Sequence, residues 1–185
     1  MKKIFAIMAM VAASTAMAAD FVSVAVDHVT NRATDAKSTV QYVRAGKEIN
    51  GLQYGLQSRA GRSDDGSGLF YSLEGTVGKN MQVAGLTVTP FVGAGRDLTK
   101  NGATEPYTYG LIGANVGTPV LGGYAMAGVK TRAGSTQDGD RTKQTVTFAS
   151  YAYPVSKQVS VVAGVSRSAQ DIKERAVSLG LSVGF

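Results

Sequence analysis

Apolar and polar residues alternate with a period of two along most of the chain, which is the pattern of β-strands that have one apolar and one polar face. In Leu69–Lys79, for example, Tyr71 and Leu73 fall on one face, whereas Ser72 and Glu74 fall on the other. Turn residues separate ten such runs, which are Phe21–Val29, Thr39–Ile49, Leu52–Gly61, Leu69–Lys79, Leu86–Leu98, Tyr107–Val116, Tyr124–Ala133, Gln144–Tyr153, Val159–Ser168 and Arg175–Phe185. The pattern therefore predicts an all-β chain.

The separators between the runs alternate between longer polar stretches, such as Thr30–Ser38, and mostly short ones, such as Asn50-Gly51. Asn50-Gly51 predicts a two-residue hairpin turn, because both residues tolerate a positive φ. Short turns at one end and longer loops at the other are typical of transmembrane barrels, with both termini at the periplasmic, short-turn end. We predict a closed antiparallel up-and-down transmembrane β-barrel of ten strands, or of eight if the irregular runs Thr39–Ile49 and Gln144–Tyr153 are not separate strands.

Charged residues within the runs identify the face that meets lipid. A Lys or Arg at the bilayer midplane costs about 2–4 kcal/mol and a Glu somewhat less, so Glu74, in the middle of its run, is expected to face the lumen. An unpaired buried charge is costly, so Glu74 needs a cation beside it. The other candidate members of this luminal charge network are Arg44, Arg59, Lys130 and Arg132. The network could act as a plug, which we favour, or as a gate for ions.

The start of the chain has the composition of a secretory signal. Two lysines are followed by the apolar stretch 4–13 and by Ala16-Met17-Ala18, an A-x-A cleavage pattern. The apolar stretch is too short for a membrane-spanning helix, which needs about 20 residues. We therefore predict that residues 1–18 are a cleaved signal peptide and that residues 19–185 form the barrel domain.

The end of the chain alternates strictly and closes on an aromatic residue. One face of the last run consists of Val177, Leu179, Leu181, Val183 and Phe185. This run resembles the C-terminal assembly signal of bacterial outer-membrane β-barrels. With the signal peptide and the alternating hairpins, it makes the chain similar to small outer-membrane barrels of the OmpA-transmembrane-domain and opacity-protein type. The resemblance implies export through the periplasm, insertion by the barrel-assembly machinery, and residence in the outer membrane among its lipids.

Aromatic residues and one proline give two further expectations. Aromatic girdles are expected at both membrane interfaces, although tyrosine is common in any strand. The candidate girdle residues are Phe21, Tyr54, Tyr124, Tyr151, Tyr153 and Phe185 at the periplasmic end and Phe70, Tyr71, Tyr107 and Tyr109 at the outer end. Pro90 has no N–H for the ladder, so we expect a bulge there or a strand that begins after it.

Few residues suit catalysis, metal binding or nucleic-acid binding. The chain has no cysteine and one histidine, which excludes disulfides, thiolate ligands and a multi-histidine metal site, so we expect no metal and no cofactor. Asp27 and His28 are adjacent, and adjacent residues point to opposite faces of a strand. The net charge of +6 is spread along the chain without a Lys/Arg block, so no nucleic-acid partner is predicted.

These observations favour a non-enzymatic outer-membrane barrel with a structural or surface-interaction role and a largely side-chain-filled lumen. The first alternative is a narrow channel for ions or small solutes, and the second is a protease or lipid-modifying enzyme at the extracellular rim. A soluble secreted β-barrel would bury the Gln, Glu and Arg side chains in its core, which is unfavourable. The oligomeric state stays open, with a monomer favoured.

Overall fold

The computed structural model describes residues 21–64, 69–100, 106–136 and 138–185, so the predicted signal peptide lies outside the described residues. The strands are β1 (Phe21–Asn31), β2 (Lys37–Ile49), β3 (Leu52–Ser63), β4 (Leu69–Lys79), β5 (Met81–Val83), β6 (Leu86–Lys100), β7 (Tyr107–Val120), β8 (Gly123–Thr136), β9 (Arg141–Pro154), β10 (Val159–Gln170) and β11 (Glu174–Gly184). This part of the chain contains no helix with the length and hydropathy needed to cross a membrane.

The strands form one closed sheet. β1 pairs with both β2 and β11, and β4 pairs with β6, so in the described chain ten strands follow one another around a ring, each antiparallel to its neighbours. The additional strand, β5, lies outside this count of ten. It is short and pairs with the start of β6. The predicted ten-stranded barrel is confirmed, because the strands that contain the two irregular runs, β2 and β9, each pair with two neighbours.

The outer wall of the barrel is apolar, and most of the charged mid-strand side chains point inward. Exposed outward residues include Val24, Val26, Leu56, Leu73, Val92, Ile112, Val129, Val165, Val177, Leu179 and Leu181. Glu74, predicted to face the lumen, lies on the opposite face of β4 from Leu73 and is buried. The alternation read from the sequence therefore assigns the two faces correctly in these strands.

At the end of the barrel that holds Phe21 and Phe185, three hairpin turns contain two residues each. Asn50 and Gly51 have φ values of 53° and 74°, so the predicted turn is confirmed. Ala84-Gly85 and Leu121-Gly122 repeat this combination of positive φ values. Such pairs suit hairpins because their twist matches that of the flanking strands. The separators that the sequence suggested here are too long, since β7 continues to Val120 and β5 occupies part of the stretch after β4.

Pro90 interrupts one ladder without a bulge, so the expected bulge or later strand start is wrong. β6 begins at Leu86, before the proline. On one side Pro90 pairs with Ala114 of β7 in unbroken register. On the other side Gly78 pairs with Phe91 in the β4–β6 ladder and Met81 pairs with Val88 in the β5–β6 ladder, so the register is the same on both sides of the gap. The missing N–H therefore removes pairing locally but inserts no extra residue.

The predicted aromatic girdles are found in part among the described side chains, which do not include that of Phe70. Tyr54, Tyr71, Tyr153 and Phe185 are exposed on the outside, whereas Phe21 and Tyr124 line the luminal cavity. The prediction that Tyr107 and Tyr109 belong to the outer girdle is wrong, because both are buried inside the barrel. The phase of β7 explains the error. Its exposed Ile112 faces outward, so the odd-numbered residues of this strand face the lumen.

Candidate functional site in the barrel lumen

Glu74 is the centre of a buried charge cluster that crosses part of the lumen. Lys130 Nζ lies 2.5 Å from Glu74 Oε1, and Arg132 Nη2 lies 2.5 Å from Oε2. Arg132 Nε also donates to Oε2 at 3.0 Å, and the Tyr109 hydroxyl donates to the same oxygen at 3.2 Å. Glu74 and Arg132 are each only 4% exposed. We call Glu74, Tyr109, Lys130, Arg132 and Gln144 the Glu74 cluster.

Each of the three guanidinium nitrogens of Arg132 donates a hydrogen bond. Its Nε and Nη2 bind Glu74, and its Nη1 donates to Gln144 Oε1 at 3.0 Å. Its guanidinium carbon also lies 5.0 Å from the centroid of the Tyr109 ring, a cation–π geometry. A buried ion pair persists when the remaining donors and acceptors find partners in this way.

A glycine on one of the intervening strands makes room for this cluster. Glu74 is on β4 and its two cations are on β8, with β6 and β7 between them in the ring. A Cβ on Gly95 of β6 would lie 2.5 Å from both Cζ and Oη of Tyr109. The absence of a side chain at Gly95 therefore allows the Tyr109 ring to reach Glu74.

A second group of charged residues surrounds Tyr42, and we call Asp27, Tyr42, Arg44, Gln57 and Arg59 the Tyr42 cluster. The Tyr42 hydroxyl donates to Asp27 Oδ2. The guanidinium carbons of Arg44 and Arg59 lie 4.9 Å and 5.5 Å from the centroid of the Tyr42 ring. Arg44 Nε donates to Gln57 Oε1 at 2.9 Å. Asp27 is 2% exposed, and its other carboxylate oxygen has no hydrogen-bond donor within the described residues.

The structure brings Lys130 and Arg132 onto Glu74 and arranges Arg44 and Arg59 around Tyr42 instead. Sequence reasoning missed Tyr109 and Gln144 as members of the Glu74 cluster. One signal for Tyr42 was available, because it lies in the middle of its run, away from both expected girdles. For Tyr109 the signal was the phase of β7, in which the apolar residues do not all face one way.

A cavity of about 400 Å³ lies in the lumen beside the two clusters. Most of its charged lining comes from the clusters, namely Asp27, Arg44, Arg59, Glu74, Lys130 and Arg132, and Glu174 of β11 adds a third carboxylate. Strands β9 to β11 contribute small residues to the same cavity, namely Ser150, Gly164, Ser166 and Ser178. The charged and the small side chains therefore come largely from different strands, and cations outnumber carboxylates in the lining.

Apolar residues fill part of the lumen near the longer loops. Val29, Val40 and Ala176 form one buried group. Tyr107, Tyr109 and Leu111 of β7 form another, against which Ile172 packs. Ile172 belongs to the β10–β11 turn, which is also tied by Ser168 Oγ, a donor to the Ile172 carbonyl at 2.9 Å. The turn after β10 therefore extends over the lumen as far as β7.

The adjacent residues Asp27 and His28 do not come together at the rim. Asp27 is buried in the lumen, whereas His28 is exposed on the opposite, outer face of β1. Among the described residues, no group of three or more His, Asp and Glu side chains is placed to hold a metal ion. The luminal clusters are thus the site that the structure offers for functional analysis.

The sequence matches no protein-family profile and no curated protein. Several solved structures share the fold. The translocator domain of the autotransporter NalP from Neisseria meningitidis has 12% identity and a TM-score of 0.51, with 97% of this chain and 95% of that chain covered. The β-domain of the Bordetella autotransporter Brka has 10% identity and a TM-score of 0.52, with coverages of 89% and 98%.

A bacterial polysaccharide outer membrane secretin has 9% identity and a TM-score of 0.51, with 90% of this chain and 65% of that chain covered. At these identities the likeness concerns the fold alone. The chain therefore has the fold of bacterial outer-membrane β-barrels, and the resemblance seen in the sequence is confirmed at that level.

Proposed function

We propose that this protein is a non-enzymatic barrel of the bacterial outer membrane, with a structural or surface-interaction role and a lumen obstructed by its own side chains. The observation that carries the proposal is the Glu74 cluster. Glu74, Tyr109 and Arg132 are nearly inaccessible to solvent, whereas residues that line the constriction of a conducting pore contact water. Charges that pair with each other are also unavailable to passing ions.

The outer wall supports residence in the membrane. Its exposed side chains are apolar over the middle of the strands, for example Leu73, Ile112 and Val165, as expected of a surface in contact with lipid. The C-terminal run continues this surface, since Val177, Leu179 and Leu181 are exposed on the outside of β11. We propose that this run, with Val183 and Phe185, acts as the signal for barrel assembly.

Planar-bilayer recording of the refolded protein tests the obstructed lumen. We expect the wild-type protein to insert without steady unitary currents. The E74A/K130A/R132A variant removes the charged side chains of the Glu74 cluster and is expected to conduct if it folds, as judged by the heat-dependent shift of mobility on a denaturing gel. Steady currents through the wild-type protein would contradict the proposal.

A narrow channel is the second candidate, and the cavity beside the clusters favours it. The cavity has a cationic side and is lined elsewhere by small residues such as Gly164 and Ser166, so a conducting state would be expected to prefer anions. Wild-type currents with a reversal potential that indicates anion selectivity would establish this candidate in place of the first.

A further inference from the structure

A row of basic and hydroxyl side chains crosses five strands on the outside of the barrel, near the longer loops. The register of the β-strands places these residues side by side. Thr147 of β9 pairs with Arg167, Arg167 with Arg175, Arg175 with Thr30, and Thr30 with Lys37. Arg167, Arg175 and Lys37 are exposed. We call these three residues the cationic row.

The two arginines of the row face each other, and neither forms a salt bridge with an anion of the described residues. Directly paired residues of antiparallel strands have Cα atoms about 4.5–5.5 Å apart, and like charges in such a pair are destabilising. The salt bridges found among the described residues are those of Glu74, inside the barrel. The nearby Asp171 carboxylate accepts a hydrogen bond from the Lys143 backbone N–H at 2.6 Å. Binding of an anion between Arg167 and Arg175 would therefore relieve the repulsion between their positive charges.

The row lies where the apolar part of the outer wall ends. Two residues closer to the middle of the same strands are Val165 and Val177, which are 56% and 63% exposed on the same face. On the proposed membrane orientation, the cationic row is thus level with the lipid headgroups of the leaflet on the loop side. Arginine guanidinium groups bind phosphate oxygens with two parallel hydrogen bonds, which fits this level of the bilayer.

We propose that the cationic row binds the phosphate group of an anionic lipid headgroup in the leaflet on the loop side, with Arg167 and Arg175 as its main ligands and Lys37 beside them. The phosphate supplies the negative charge that the paired arginines lack, while the acyl chains lie along the valines below. This inference rests on the proposed residence in the membrane.

Native mass spectrometry of the protein refolded in a neutral detergent tests this site. Short-chain phosphatidic acid is the probe, phosphatidylcholine of the same chain length is the neutral lipid, and inorganic phosphate is the lipid-free anion. We expect saturable binding of phosphatidic acid to the wild-type protein. Binding should weaken by about tenfold or more in the R167Q/R175Q variant, since it removes the two charged donors to the phosphate.

The matched control is R62Q/R96Q, which removes two other exposed arginines near the same end of the barrel. Arg62 pairs with Thr39 and Leu69, and Arg96 pairs with Leu73 and Thr108, so neither faces another cation. Its affinity for phosphatidic acid should stay within about twofold of the wild-type value, because isolated exposed charges contribute little.

Equal losses in the two double variants, equal binding of phosphatidylcholine, or no saturable binding would each overturn the proposal. Displacement of the lipid by an equal concentration of inorganic phosphate would overturn the assignment to a lipid. Retention of the gel-mobility shift shows that each variant is folded. Insertion into vesicles of neutral lipid is measured separately, and failure there would contradict membrane residence rather than the phosphate site.

Discussion

Glu74 is the residue whose loss leaves the most buried charge uncompensated, because Lys130 and Arg132 share its carboxylate. We predict that Glu74→Gln lowers the free energy of unfolding by about 3–5 kcal/mol, the usual effect of breaking a buried ion pair. Urea titration of the protein refolded in lipid vesicles measures the difference. Asp140→Asn is the control, since Asp140 is exposed in a turn. Similar stabilities of the two variants would show that the Glu74 cluster does not hold the barrel together.

Tyr42 and Tyr109 donate hydrogen bonds to different carboxylates, and their replacement by Phe should have unequal effects. Tyr42 is the donor found for Asp27, whose other oxygen has none within the described residues. Glu74 keeps Lys130 and Arg132 when Tyr109 is lost. We expect Tyr42→Phe to cost about 1–3 kcal/mol and Tyr109→Phe about 1 kcal/mol or less. The same urea titrations decide, and the opposite order would refute this account of Asp27.

At this scale the sequence predicts which side chains face inward but not which of them meet. The charge of Glu74 in mid-strand is sufficient to orient it, because lipid excludes the alternative. The choice of Lys130 and Arg132 over Arg44 and Arg59 depends on how the tilt of the strands brings β4 and β8 to the same level. That tilt follows from closure of the whole barrel, which no local pattern encodes.

The strands β6 and β7 pack closely because small residues face the lumen beside large ones. We predict that Gly95→Ala destabilises the barrel by about 1–3 kcal/mol, the range for overpacking, because the new Cβ would displace the Tyr109 ring from Glu74. Gly110→Ala on β7 is the matched control. A Cβ at Gly110 would meet no atom within 4 Å, so its unfolding free energy should change by less than about 0.5 kcal/mol. Equal effects would argue against close packing at Gly95.

The elements themselves were largely predictable because each strand carries its own alternation and each hairpin its own turn residues. The bounds of β4, Leu69–Lys79, follow directly from the sequence. The turns Ala84-Gly85 and Leu121-Gly122 were harder to locate, since alanine and leucine rarely take a positive φ and are held there by the paired strands on both sides. Likewise, the register around Pro90 is set by its neighbours β5 and β7, which a single run of residues does not reveal.

For the molecule as a whole, assembly in the cell and stability of the finished barrel should depend on different residues. Phe185 follows the last strand and is 63% exposed, so Phe185→Ala should leave the unfolding free energy within about 0.5 kcal/mol of the wild-type value. If Phe185 belongs to an assembly signal, the same variant should reach the outer membrane in smaller amounts. Val155→Ala, in the exposed β9–β10 turn, is the control for both measurements. Normal amounts of the Phe185 variant in outer-membrane fractions would contradict the assignment.

The gap in the ladder beside Pro90 bears on where the finished barrel first opens. The junction of the chain ends, between β1 and β11, is paired from Phe21 to Asn31 without interruption. Next to Pro90, a side-chain hydrogen bond from the Thr89 hydroxyl to Asn80 Oδ1 at 2.7 Å takes the place of backbone pairing. We therefore expect amide hydrogens around Asn80 to exchange with deuterium sooner than those of β1. Transient opening would then start between β6 and the β4–β5 segment that directly precedes it in sequence, while the seam between β1 and β11 stays closed.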